Sequence, residues 1–275
     1  MSESCNRAAY DAFLTGLRNY STLSKEGLDQ NQDSTDLAIK IDPNCARAWA
    51  LSSFNLVQGW LYGYYEKDIL LRAEEHAIRA VQLDPGDYFT HSCLGFYYLR
   101  TSRFALALTA YETAIALNDD DRLMLSDAAE AYIYAGDLDA GITLLNRARR
   151  VPDQQRWNLA WAYYFKGRTD PNYYDQALTE LDQLFYKRGA DKYIFDIDLL
   201  FAAIHAQRSD FDSASSSIKA YRDRISSDEF RRNWSIADEA ESELFSDPEQ
   251  KAHWLDGLRK AGLRETPGAA DRPAK

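Results

Sequence analysis

The stretch CLGFYYLRTSRFALALTAYETAIAL, residues 93–117, decides the fold. Its first half has helical periodicity, yet Gly95 sits inside it, where glycine costs about 1 kcal/mol against alanine. Packing has to offset that cost. When the chain is slid along itself by 34 residues, Gly95 falls on Ala129, Tyr98 on Tyr132, Ala107 on Gly141, Tyr111 on Leu145 and Ala114 on Ala148. Slid the other way, Ala107, Ala114 and Leu117 fall on Ala73, Ala80 and Leu83. Small residues thus recur where helices must approach closely, and Tyr98, Tyr111 and Tyr132 fill the space between them. A side chain at position 95 would push two helices apart.

A 34-residue period is that of the tetratricopeptide repeat, a pair of antiparallel helices, and the sequence resembles that family. Punctuation keeps the same register. LDP at 83–85 and IDP at 41–43 each end a hairpin, because proline cannot continue a helix and restrains the residue before it. Six residues after each proline stand Trp49 and His91, where this repeat favours tryptophan. AGDLDAGI at 135–142 and KGRTDPNYYDQAL at 166–178 read as turns between paired helices. The prolines at 43 and 85 are eight residues too far apart, so one or two extra helical turns sit near QGWLYGYYEKD, 58–68.

The expected architecture is therefore all-α: an α-α superhelix, a TPR-like solenoid of about six helical hairpins plus a C-terminal capping helix. A flexible N-terminus of residues 1–7 precedes a repeat domain over 8–263, and a disordered tail occupies 264–275. The capping helix starts near 246. There SDPE supplies a serine cap, a proline in the first turn and Glu249 as capping-box partner. This helix is expected to cover the end of the stack.

Composition bounds the function. The chain has 275 residues, 45% hydrophobic and 13% aromatic, enough for a substantial core. Its most apolar run, IFDIDLLFAAIHA at 194–206, is too short to span a membrane and carries Asp196 and Asp198. The N-terminus lacks the basic start and apolar core of a signal peptide. Cys5, Cys45 and Cys93 are odd in number and far apart; they are expected to form no metal-ligand or redox pair, which suits a reducing cytoplasm. A formal charge of −11 would repel a phosphate backbone, so nucleic acid is excluded as a partner. A cytoplasmic protein without membrane attachment is expected.

The segments AAYDAFLTGLRNY, IDPNCARAWALSSFNLVQGWLYGY and WLDGLRKAGL resemble one subgroup of the tetratricopeptide proteins. These are the repeat regions behind the catalytic domain of bacterial class III adenylate/guanylate cyclases; similar regions follow winged-helix domains in some bacterial regulators. The resemblance covers roughly residues 8–264 and contains no catalytic residue. It implies a regulatory or oligomerisation tail whose catalytic domain, if there is one, is not in this chain.

No P-loop, G-x-S-x-G, H-E-x-x-H or Cys-x-x-Cys motif occurs, so no catalytic residue, metal or cofactor is expected, and the chain is read as a non-enzyme. His76, His91, His205 and His253 fall in four different units and read as structural or surface residues, not as ligands or bases. Arg147, Arg149, Arg150 and Arg156 read as cations at a helix C-terminus, complementing its dipole. NDDDR at 118–122 reads as a turn with an aspartate cap.

The informative surface is the inner face, lined by the first helix of each pair. In register it carries Phe54 and Val57; Phe89, Ser92, Phe96, Leu99 and Arg100; Leu123, Ser126, Glu130, Ile133 and Tyr134; then Trp157, Trp161, Tyr164 and Phe165. Chaperone-binding repeats grip a peptide carboxylate with lysine, arginine and asparagine at positions that are here Ala50, Phe54, Ser92, Phe96, Ser126, Glu130, Trp157 and Trp161. That clamp is missing. The groove residues to expect are Phe54, Phe89, Phe96, Arg100, Glu130, Tyr134, Trp157, Trp161 and Tyr164. Such an aromatic lining is either used by a partner or covered by the chain itself. The leading expectation is a protein- or peptide-binding scaffold taking an apolar helix or extended segment, with a homo-oligomer also compatible.

Overall fold

The computed structural model describes residues 5–19, 24–148, 152–188, 197–226, 234–241 and 245–266. Its helices are α1 (Arg7–Asn19), α2 (Lys25–Ile41), α3 (Ala46–Leu61), α4 (Ile69–Leu83), α5 (Tyr88–Arg100), α6 (Phe104–Leu117), α7 (Arg122–Tyr134), α8 (Leu138–Arg147), α9 (Pro152–Lys166), α10 (Asn172–Arg188), α11 (Ile197–Gln207), α12 (Phe211–Ile225), α13 (Ile236–Glu241) and α14 (Pro248–Ala261). The described residues contain no strand. Helices α1/α2, α3/α4, α5/α6, α9/α10 and α11/α12 pack as consecutive pairs, and α7 and α8 are joined by a short turn of the same kind. The all-α hairpin architecture is that expected. The chain forms two compact units, Met1–Ala131 and Tyr132–Lys275.

The repeat shows itself in bonds as well as in packing. Arg103 N donates to Tyr98 O (2.8 Å), Asp137 N to Tyr132 O (3.0 Å) and Asp210 N to His205 O (2.9 Å). Each bond spans a left-handed residue that reverses the chain: Ser102 (φ 58°), Gly136 (φ 97°) and Ser209 (φ 63°). Asp137 and Asp210 then cap the next helix, accepting from Ala140 N and Ser213 N. The tryptophan position behaves the same way in two repeats. Trp49 Nε1 donates to Pro43 O and His91 Nε2 bonds Pro85 O, both at 2.9 Å.

In the first unit the inner helices α1, α3 and α5 neighbour one another, and each outer helix packs on its own partner. Phe13, Ala38, Ala48 and Leu51 form one core cluster; Leu56, Val57, Ala73, Ala77, Phe96 and Tyr97 form another. Gly95 is the contact the sequence pointed to. A Cβ there would stand 3.0–3.1 Å from the ring of Tyr111, which is fully buried. Gly95→Leu is therefore expected to destabilise by about 1–3 kcal/mol through overpacking. Urea unfolding followed by circular dichroism checks this, and an unchanged midpoint would remove Gly95 from the helix contact. The eight-residue slip between Pro43 and Pro85 is accounted for by a longer α3 (16 residues against 13 in α5) together with the extended turn after it.

Two expectations are corrected. Cys5 and Cys45 form a disulfide, with Cα atoms 4.3 Å apart, and Cys93 alone is free and buried. Parity and spacing miss the pair because the α1/α2 hairpin returns the chain to its own start. Asn6 N donates to Asp42 Oδ2 (2.8 Å) beside the bridge, marking the same closure. The cap of α14 is Asp247, which accepts from Glu249 N (2.9 Å), with Pro248 opening the helix. Ser246 is otherwise engaged: its N and Oγ both donate to Tyr134 O at 3.1 Å. A tertiary bond outcompeted a local cap.

At the chain ends, residues 1–4 and 267–275 lie outside the described set, as do Arg149 and Arg150. Arg264 and Glu265, placed in a tail by the sequence, accept through their carbonyls from Ile236 N (2.8 Å) and Ala237 N (3.1 Å).

Candidate functional site

On the inner face of the first unit, Phe54 is half-buried with its ring 4.4 Å from that of Phe96, which is buried beneath it. The Arg100 guanidinium lies 5.0 Å from the Phe96 ring centre. It is held there by Glu130: Nη1 donates to Oε1 (2.7 Å) and Nη2 to Oε2 (2.8 Å). This two-bond pairing commits Arg100 to an internal carboxylate. The structure thus brings Phe54, Phe96, Arg100 and Glu130 together, and a free acidic C-terminus meets no uncommitted charge in this group.

Phe89 is half-buried and packs 5.9 Å from Phe13, under the guanidinium of Arg47 at 5.7 Å. Arg47 is pinned to Asp87 (2.5 and 3.0 Å), and that hydrogen bond raises its pKa. Leu123, one repeat after Phe89, is 45% exposed. Asp121 caps α7 through Met124 N (3.0 Å) and accepts from Tyr88 Oη (2.9 Å), which bears out the reading of NDDDR as a capped turn.

The inner face of the second unit is arranged differently. Trp161 is 5% exposed. Around it stand the rings of Trp254 (4.7 Å), Phe165 (5.4 Å), Trp157 and Phe245 (each 5.8 Å), Tyr164 (6.0 Å) and Tyr134 (6.4 Å). Tyr134 and Tyr164 are buried as well, and Trp157 is half-buried. Tyr164 Oη donates to His253 O (3.0 Å), and burial raises its phenol pKa well above the ordinary value. Two residues that inner-face periodicity could not nominate, Phe245 and Trp254, complete the cluster. Both come from the C-terminal segment. Glu239 anchors the second of them, accepting from Trp254 Nε1 (3.0 Å) and from Trp234 Nε1 (2.6 Å).

Histidines are built into both units. His76 Nδ1 lies 2.9 Å from Ser52 Oγ, which accepts from Gln32 Nε2 (2.7 Å). The Ser52 hydroxyl proton is therefore free to go to the imidazole. His253 stacks on Tyr164, with ring centres 4.8 Å apart. Burial pushes both pKa values down from 6.5 to about 4. An unfolded chain binds these protons first, so this stability is complete above pH about 6.5 and is lost as pH falls toward about 4. Melting temperature against pH should drop across that window, and His76→Gln should shallow the slope. A flat profile contradicts the burial of both imidazoles.

Among the described residues no group of three or more His, Cys, Asp or Glu is placed to hold a metal ion, and no helix is long and apolar enough to cross a membrane. No protein-family model matches the sequence, and no curated protein matches it. Solved structures do. The chain is similar to PilW, described as a widely conserved type IV pilus biogenesis factor, at TM-score 0.59 and 15% identity, over 87% of this chain and 97% of that one. It is similar to the TPR protein TTC0263 of Thermus thermophilus at TM-score 0.54 and 18% identity, over 71% and 98%. A tetratricopeptide repeat protein from Parabacteroides merdae gives TM-score 0.51 and 13% identity, over 92% and 100%. None of these comparisons shows a link to nucleotide cyclases. The likeness is one of fold: this is an all-α protein built of tetratricopeptide-type helical hairpins.

Proposed function

We propose that the chain is a non-catalytic scaffold whose first unit binds a protein segment on its inner face. One observation carries the reading: Phe54 and Phe89 are half-buried on that face, whereas Trp161 of the second unit is buried under Phe245 and Trp254. Helical-repeat neighbours of the same fold make protein binding the natural class of function. The segment to expect is apolar with basic flanks. Residues 1–131 hold 11 Lys/Arg against 19 Asp/Glu, so this unit carries −8 of the chain's net −11. Such a net charge attracts a cationic partner to this unit, while half-buried aromatics supply the anchoring area.

The Cys5–Cys45 disulfide supports an oxidising compartment in place of the cytoplasm expected from composition. Selection of random displayed peptides on the immobilised full chain tests the binding reading. Enriched peptides should join apolar and basic residues, and should lose at least tenfold in affinity on Phe54→Ser. Enrichment indifferent to Phe54, or no enrichment, would contradict it.

A further inference from the structure

In the second unit the inner face already has an occupant, the chain's own α14. This helix buries Gln250, Trp254, Gly257, Leu258 and Ala261, a single stripe at helical spacing. Trp254 enters the aromatic cluster at Trp161. Three residues on, Gly257 approaches so closely that an added Cβ would lie 2.7 Å from Tyr164 Oη and 3.0 Å from Ala203 Cβ. The outer contacts are polar. Arg168 pairs with Asp247 (3.6 Å) and with Glu249, and Gln207 Nε2 donates to Asp256 Oδ2 (3.0 Å). An aromatic anchor, a point of close approach and charged partners at the rim are the features by which a groove holds a helix.

The match is also incomplete. Among the described residues, Trp161 Nε1 is buried without an acceptor and Gln250 Oε1 without a donor. One lies on the face and the other on α14. An unpaired buried polar group on each side of one contact is a cost that contact carries. A helix that delivered an acceptor to the Trp161 indole would fit this face better than α14 does.

We propose that the inner face of the second unit is a helix-binding groove and that α14 is its built-in competitor. The ligand is an amphipathic helix from a partner. It carries an acidic first turn, an aromatic residue seven positions after its capping acid and a small residue three positions further, as Asp247, Trp254 and Gly257 do in α14. Because α14 holds the groove, a ligand's apparent affinity is reduced by the fraction of chains in which α14 has left. Weak ligands are excluded and well-matched ones admitted.

The probe is a labelled synthetic peptide of residues 245–265, read by fluorescence anisotropy against the full chain. Gly257→Leu drives α14 against Tyr164 and Ala203 while leaving every groove residue in place. The variant is expected to bind the peptide at least tenfold more tightly than the parent chain, and a peptide carrying Trp254→Ala should lose that gain. A folded variant that binds no more tightly overturns the proposal. If Gly257→Leu does not fold, hydrogen exchange of the parent chain decides. Amides of α14 exchanging through their own opening, faster than those of α11, support the proposal; α14 and α11 exchanging as one unit overturn it. Partner binding by the first unit stands or falls separately, since Phe54 and the displayed peptides report on other residues.

Discussion

Trp161→Ala should lower the stability of the second unit by about 3–5 kcal/mol, the range for truncating a large buried aromatic. The side chain is 5% exposed and has six aromatic rings within 6.4 Å, two of them from the C-terminal segment. Truncation leaves a cavity that α9 cannot close, because its neighbours Ala160 and Ala162 are fully buried and already at minimal size. It also removes the platform on which Trp254 rests. Urea unfolding read by tryptophan fluorescence should show an early transition that the parent chain lacks. Trp161→Phe keeps a ring in the site and sheds an indole N–H that has no acceptor among the described residues, so its loss should be much smaller. A Trp161→Ala chain melting like the parent would mean that the cluster is not packed.

Cys5→Ser should cost the first unit about 2–4 kcal/mol, and reduction of the parent chain should cost about the same. The bridge spans 40 residues, from the segment before α1 to the cap of α3, so it closes a long loop in the unfolded chain. The other half of the pair is fully buried, against the cluster of Phe13, Ala48 and Leu51. Thermal unfolding with and without dithiothreitol measures the effect. The double variant Cys5→Ser/Cys45→Ser should be indifferent to reductant. A parent chain equally indifferent would show that the bridge contributes nothing.

The hairpins were legible because each repeats one packing solution. Gly95 against Tyr111 writes itself into the sequence as a small and a large residue at fixed spacing, and Trp49 and His91 both meet a proline carbonyl six residues back. What periodicity does not encode is the face that a following element covers. WLDGLRKAGL reads as a final helix, yet nothing in its spacing tells that Trp254 lies on Trp161 or that Ser246 gives up its cap to bond Tyr134. The disulfide was hidden for a related reason. Counting cysteines ignores that α1 and α2 fold back, which brings two residues 40 apart in sequence to 4.3 Å between Cα atoms. The candidate site was legible in part. In the first unit Phe54 meets Phe96 and Arg100 meets Glu130 through the repeat alone, while the surroundings of Trp161 depend on a segment with no repeat of its own.

Hydrogen exchange of the full chain with and without a selected peptide tests the central claim most directly, because it reads every helix in one measurement. Amides of α3 and α5, together with those at the start of α7, should slow on binding. Those of the outer helices α4 and α6 should not change. Protection confined to α4 and α6, or none at all with a peptide that binds, would contradict an inner-face scaffold.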